Sequence, residues 1–238
     1  MTDTKPLEGK LALVTGTSRG IGAATAEVLA AAGAHVILTA RTANALEAVE
    51  EKIHAAGGSA TIAPLDLTDR DNVAKLGEAI AARWGSLDIL VLNAAMLGSL
   101  SPVEHLDPKE LAPVFAINVF ANQALISIFD PLLRRAPRAE VIGLTSSVGT
   151  EPRAFWGGYG ASKAAFENLL SAYADETEHA GRLRVQILDP GATRTRMRQN
   201  AFPGEEPESL KGPEVVASAI LDRLLGNAAT GSRSRIDG

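Results

Sequence analysis

The chain contains no cysteine, which excludes disulfide bonds, thiol nucleophiles and thiolate metal sites. Its four histidines, His35, His54, His105 and His179, are scattered without ligand spacing and read as surface or loop residues. Charge of one sign is also scarce. A formal net charge of −5 creates no field for nucleic acid or anionic lipid, and the arginines alternate with acids rather than forming a basic face. Neither partner is expected. No apolar run reaches the length needed to cross a membrane, and the polar start MTDTKPLEGK lacks the apolar core of a signal peptide. The default compartment is then the cytoplasm.

What the chain does have is enough apolar material, 46% over 238 residues, for one sizeable core. β-Branched runs at 10–15, 35–40, 60–65, 88–93, 140–145 and 184–189 read as strands. Alanine-rich amphipathic segments at 20–32, 43–56, 70–84, 109–134, 159–180 and 213–225 read as helices. Near-continuous apolar strands separated by crossover helices predict a single α/β domain over 1–238, with a doubly wound parallel sheet of Rossmann type. The most loop-like stretch, within 194–213, is a candidate substrate loop because proline, glycine and glutamate crowd there.

Two motifs carry chemistry. After the first strand, TGTSRGIG brings Gly16, Ser18, Arg19, Gly20, Ile21 and Gly22 to the start of a helix, where unpaired N–H groups and the dipole favour a phosphate. The alternative is a tight turn without a ligand. The second strand ends at Ala40-Arg41 with no acid to hold a ribose hydroxyl, so Arg41 and Arg19 can clamp a 2′-phosphate, or else stand as solvated surface charges. Farther on, GGYGASK places Tyr159 and Lys163 one helical turn apart. A lysine ammonium there would stabilise the phenolate and lower the tyrosine pKa. A plain amphipathic surface pair has the same spacing.

In order along the chain these residues resemble the short-chain dehydrogenase/reductase family. TGTSRGIG is similar to its TGxxxGxG loop, Asp66-Leu67 to its adenine-contacting acid, Leu92-Asn93-Ala94-Ala95 to its NNAG segment and YGASK to its YxxxK. Ser146 lies thirteen residues before Tyr159 and Asn118 falls at the family's helical asparagine. Pro190-Gly191 with Thr195 resembles the segment beside the nicotinamide, where Thr193 replaces a frequent aliphatic residue but keeps a backbone N–H for the carboxamide, and TGSRSRIDG is similar to the last strand and terminus. Leu92 and Ala95 depart from NNAG, removing a hydrogen bond and some backbone freedom.

The resemblance implies an NADP(H)-dependent oxidoreductase acting on a small-molecule carbonyl or alcohol, with Tyr159 as general acid/base, Lys163 lowering its pKa and binding ribose, Ser146 hydrogen-bonding the carbonyl oxygen and Asn118 holding a water in a relay to Lys163. It also implies a homodimer or homotetramer through segments 109–134 and 159–180. A binding protein that keeps the fold without turnover, or a methyltransferase, would not need the Asn–Ser–Tyr–Lys set. Substrate and physiological direction stay open. Arg194, Arg196 and Arg198 would share one face if extended. That face could meet an acidic substrate or the cofactor pyrophosphate, but an outward face paired with Glu205, Glu206 and Glu208 or with water is the expectation. Arg134, Arg135 and Arg138 read as another solvated face.

Overall fold

The computed structural model describes residues 5–179 and 181–237; the first four residues, Ala180 at the end of an expected helix and Gly238 of the terminal motif lie outside them. Period-two alternation decides the layering. On β1 (Leu11–Thr15) Ala12 and Val14 point into one apolar cluster, while Leu11 and Leu13 point into another across the sheet. The other strands are β2 (His35–Ala40), β3 (Ser59–Pro64), β4 (Ile89–Leu92), β5 (Ala139–Leu144), β6 (Leu183–Asp189) and β7 (Ser232–Arg235). All pair in parallel in the order β3-β2-β1-β4-β5-β6-β7. The first cluster is covered by α1 (Gly20–Ala31), α2 (Ala43–Ala55) and α8 (Pro213–Leu225); α3 (Arg70–Trp84), α5 (Asn122–Leu133) and α6 (Gly157–Glu178) cover the second. The chain winds outward from β1 to β3, then crosses back to β4. That reversal opens a crevice at the C-terminal ends of β1 and β4.

Several local expectations need correction. The helix expected at 109–134 is broken into α4 (Pro108–Phe115), a π-turn (Ala116–Ala121) and α5, because the wide turn carries Asn118 into the interior. Together Pro108–Leu133 is 26 residues, with an 18-residue stretch of mean hydropathy 1.6, so one run is long and apolar enough to cross a membrane; Leu125, Phe129, Leu132 and Leu133 bury in the core instead. His35 is no loop residue. It opens β2, half-buried, with its ring nitrogens against Ser59 Oγ (2.6 Å) and Thr61 Oγ1 (2.9 Å).

The segment after Thr195 is α7 (Arg196–Ala201) rather than an extended strand, so Arg194, Arg196 and Arg198 do not share a face. Thr195 Oγ1 accepts from the Arg198 amide at 3.2 Å and caps that helix. Of the expected solvated face, Arg134 pairs with Asp130 (2.8 Å) and Arg138 with the buried Glu140 (3.0 Å).

Candidate active site

The glycine loop is tied down from β4. Thr15 Oγ1 accepts from the amides of Asn93 (2.9 Å) and Ala94 (3.0 Å), and Asn93 Nδ2 donates to the carbonyls of Thr15 (2.7 Å) and Gly16 (3.3 Å). Gly16 at φ 71° and Gly20 at φ 61° occupy the left-handed region, where a side chain is strained. A Cβ on Gly22 would be driven into the Gly16 carbonyl. The departure at Leu92 is absorbed by the core, where its side chain is buried.

A cavity of about 440 Å³ follows from this loop along the sheet edge. Gly16, Ser18, Arg19, Gly20 and Ile21 line its phosphate end, and Arg41, Asp66 and Leu67 the end beyond β2 and β3. Asn93, Ala94, Lys163, Pro190 and Thr195 line the rest. Arg19 and Arg41 are exposed and form no ion pair among the described residues, while Ala40 between them leaves room. Asp66 Oδ1 accepts from the amide (2.9 Å) and hydroxyl (2.7 Å) of Thr68, which with the nearby Arg41 charge hold its carboxyl below the usual range. Gly22, Gly191 and Thr193 are not on the wall. Gly22 supports the loop from behind, Gly191 packs against the Ile236 carbonyl, and the buried Thr193 directs its hydroxyl to the Pro190 and Gly191 carbonyls.

On α6, Tyr159 and Lys163 are both buried, so this is no surface pair. Lys163 Nζ donates to the Leu144 carbonyl (2.8 Å) at the end of β5 and stands 5.8 Å from the centre of the Tyr159 ring. Burial drives its pKa down to about 8, with Asp189 opposing the fall. The expected depression of the Tyr159 pKa is not met: burial pushes the phenol up, and the Asp189 carboxylate pushes it the same way. Ser146, half-buried, follows β5 and opens the 3₁₀ turn Ser147–Gly149.

Asn118 has its side chain fully engaged. Oδ1 accepts from the Met96 amide (2.8 Å), and Nδ2 donates to the Met96 carbonyl and to Ser162 Oγ (both 2.9 Å). Its main-chain carbonyl already accepts from Asn122 Nδ2 (2.9 Å). The side chain therefore joins the loop after β4 to α6 and has no donor left for a water.

Several neighbours were not legible beforehand. Met197 brings its sulfur 4.0 Å from the Tyr159 hydroxyl. Trp156 meets Tyr159 edge-on (5.9 Å) and stacks on Phe202 (5.6 Å). Asp189 buries a carboxylate oxygen, Oδ2, that has no hydrogen-bond partner among the described residues, with Arg233 Nη2 4.0 Å away. Only Trp156, adjacent to the GGYGASK stretch, offered a positional signal. Of the three loop arginines, Arg198 pairs with both oxygens of Glu205 (2.6 Å each), Arg196 lines the large cavity and Arg194 is exposed.

A family model described as short chain dehydrogenase matches residues 10–206. The uncharacterized oxidoreductase YciK of Escherichia coli K12 is 38% identical over 218 residues, 90% of this chain and 86% of that protein. A short chain dehydrogenase structure from Pseudomonas syringae superposes with a TM-score of 0.95 at 36% identity, over 100% of this chain and 98% of its own. Another from Shigella flexneri 2a, in complex with NADP, gives 0.93 at 35% identity over 98% and 99%. With the parallel sheet, glycine cradle and Tyr–Lys pair in matching order, the chain belongs to the short-chain dehydrogenase family of oxidoreductases.

Proposed function

We propose that this chain is an NADP(H)-dependent oxidoreductase that interconverts a carbonyl and an alcohol, with Tyr159 as general acid/base. The observation that carries the reading is that one cavity is lined by Arg41, by the glycine cradle with Arg19, and by Lys163, one turn from Tyr159. The cradle fits a dinucleotide because Gly22 admits no side chain and the N-terminus of α1 has no acidic residue in its first turn. When bound, the reduced nicotinamide supplies the hydride. Tyr159 donates its proton to the carbonyl oxygen, so that hydride on carbon and proton on oxygen together give the alcohol. A raised phenol pKa keeps that proton in place across neutral pH. Ser146 donates a hydrogen bond to the same oxygen. Lys163, held by Leu144, places a buried positive charge beside the phenol and toward the ribose. Asn118 fixes the loop after β4 against α6. Assembly as a homodimer or homotetramer would use the 108–133 run and α6, the former exposing Phe120.

Tyr159→Phe removes the proton and little else. Turnover of a carbonyl panel, followed by NADPH absorbance, should fall at least about 100-fold with NADPH affinity within about twofold of wild type. Near-wild-type turnover would sink the assignment. The arginine pair should set the cofactor choice, since each charge-assisted hydrogen bond to a 2′-phosphate contributes about 1.5–3 kcal/mol, about one to two orders of magnitude in affinity. Ala40→Asp with Arg41→Ala should shift preference toward NADH by about tenfold or more. Equal wild-type affinity for NADH and NADPH in a fluorescence titration contradicts the clamp.

A further inference from the structure

Beside Tyr159 lies a second cavity, of about 230 Å³, which meets the first at Leu97 and so opens at the reacting end of the site. Leu97, Leu106, Leu111 and Val114 supply its apolar wall, and Ser99, Ser101 and Tyr159 complete the lining with hydroxyl groups. Gly158 keeps it open, since a Cβ there would stand 2.9 Å from Leu111 Cδ1. The charged groups on its rim are the exposed carboxylates Asp107 and Glu110, with His105 the one group able to carry the opposite sign. Asp107 is fixed there as the cap of α4, accepting from the Lys109 amide at 2.8 Å. Among the described residues no arginine lines this second cavity: Arg198 is held by Glu205 and lies 3.8 Å from the centre of the Phe202 ring, Arg153 lies over the same ring at 5.1 Å, and Arg196 lines the larger cavity instead.

We propose that this pocket receives an apolar, ring-sized substituent of the substrate, and that the substrate is an uncharged aldehyde or ketone, or the matching alcohol, without a carboxylate or phosphate on that substituent. The inference rests on Tyr159 as general acid. A leucine-lined cavity of about 150 Å³ already takes benzene, so an aryl group fits. An anion there would lose water among leucines and face two carboxylates. Met197, flexible and unbranched, can leave the hydroxyl as the carbonyl oxygen arrives.

The test uses the full chain with bound NADP⁺. Benzyl alcohol, 4-carboxybenzyl alcohol and 1-propanol are titrated by calorimetry, and kcat/KM is measured with NADPH for the three corresponding aldehydes. Benzyl alcohol should bind at least tenfold more tightly than either of the others. Leu111→Phe should cut the aryl-to-propyl ratio about tenfold, as crowding by a few methylenes does. Glu110→Lys, on the exposed rim, should narrow the gap between the neutral and carboxylated rings. Equal binding of those two rings, or ratios untouched by both variants, overturns the proposal. The expected binding order without turnover of any aldehyde would support the pocket and overturn Tyr159 as the general acid.

Discussion

Lys163 shows how one buried charge acts on stability and chemistry together. Its folded pKa, about 8, lies below the ordinary 10.5, so the unfolded chain binds the proton more tightly. The linkage therefore lowers stability below pH 8, by about 3 kcal/mol, and the penalty fades as pH rises toward 10.5. Lys163→Met should be more stable than wild type at pH 7 by about 2 kcal/mol, after losing the hydrogen bond to Leu144, with the gain gone near pH 10. Urea titrations at several pH values check this, and a gain independent of pH would contradict it. For catalysis the sign is opposite. The ammonium is present below about pH 8, so kcat/KM for NADPH should fall as pH rises through that value.

At the scale of elements, the π-turn matters more than the helix it interrupts. Asn118 satisfies both the amide and the carbonyl of Met96 and bonds Ser162, so Asn118→Ala leaves the two Met96 groups without partners, while Ser162 Oγ keeps its bond to the Tyr159 carbonyl. A loss of about 2–4 kcal/mol in urea unfolding is expected. A loss below about 0.5 kcal/mol would mean that the loop after β4 is held by other contacts. Neither this turn nor α7 was legible. Nothing in AINVFA distinguishes a π-turn from an ordinary apolar helix, because the extra residue is selected by what Asn118 meets on another element. In α7 alternating arginines imitate a period of two, yet Thr195 three residues before Arg198 was a readable cap.

Across the whole molecule the sheet separates chemistry from support. The candidate site gathers at the C-terminal ends of the strands, whereas Glu140 begins β5 at the opposite end. There it is buried, pairing with Arg184 (2.6 Å) and Arg138 and accepting from Gln186 Nε2 (3.3 Å). Arg184 also donates to the carbonyls of Gly226 and Ala228, which fastens the end of α8 to β6. Glu140→Ala should cost about 3–5 kcal/mol because it leaves the half-buried Arg184 without its counter-charge. At temperatures where the variant is folded, its kcat/KM should equal that of wild type; a tenfold loss would show coupling across the sheet.

The sequence alone determined the order of the first six strands and of the main helices, the glycine cradle and the one-turn spacing of Tyr159 and Lys163, because apolar patterning, glycine at left-handed turns and helical geometry are local properties. It also set Ala40 between two arginines, since both neighbours lie within a few residues of their strand or helix ends. Burial is not local. That Lys163 loses its water, that Asn118 bonds a loop 22 residues away, and that Met197 reaches the Tyr159 hydroxyl from 38 residues away were decided by packing across the sheet edge. The same holds for the leucine pocket, whose walls come from the loop after β4 and from α4 and whose floor is a glycine of α6. Charges and hydroxyls named from sequence acquire their pKa values and partners only where distant elements exclude solvent around them.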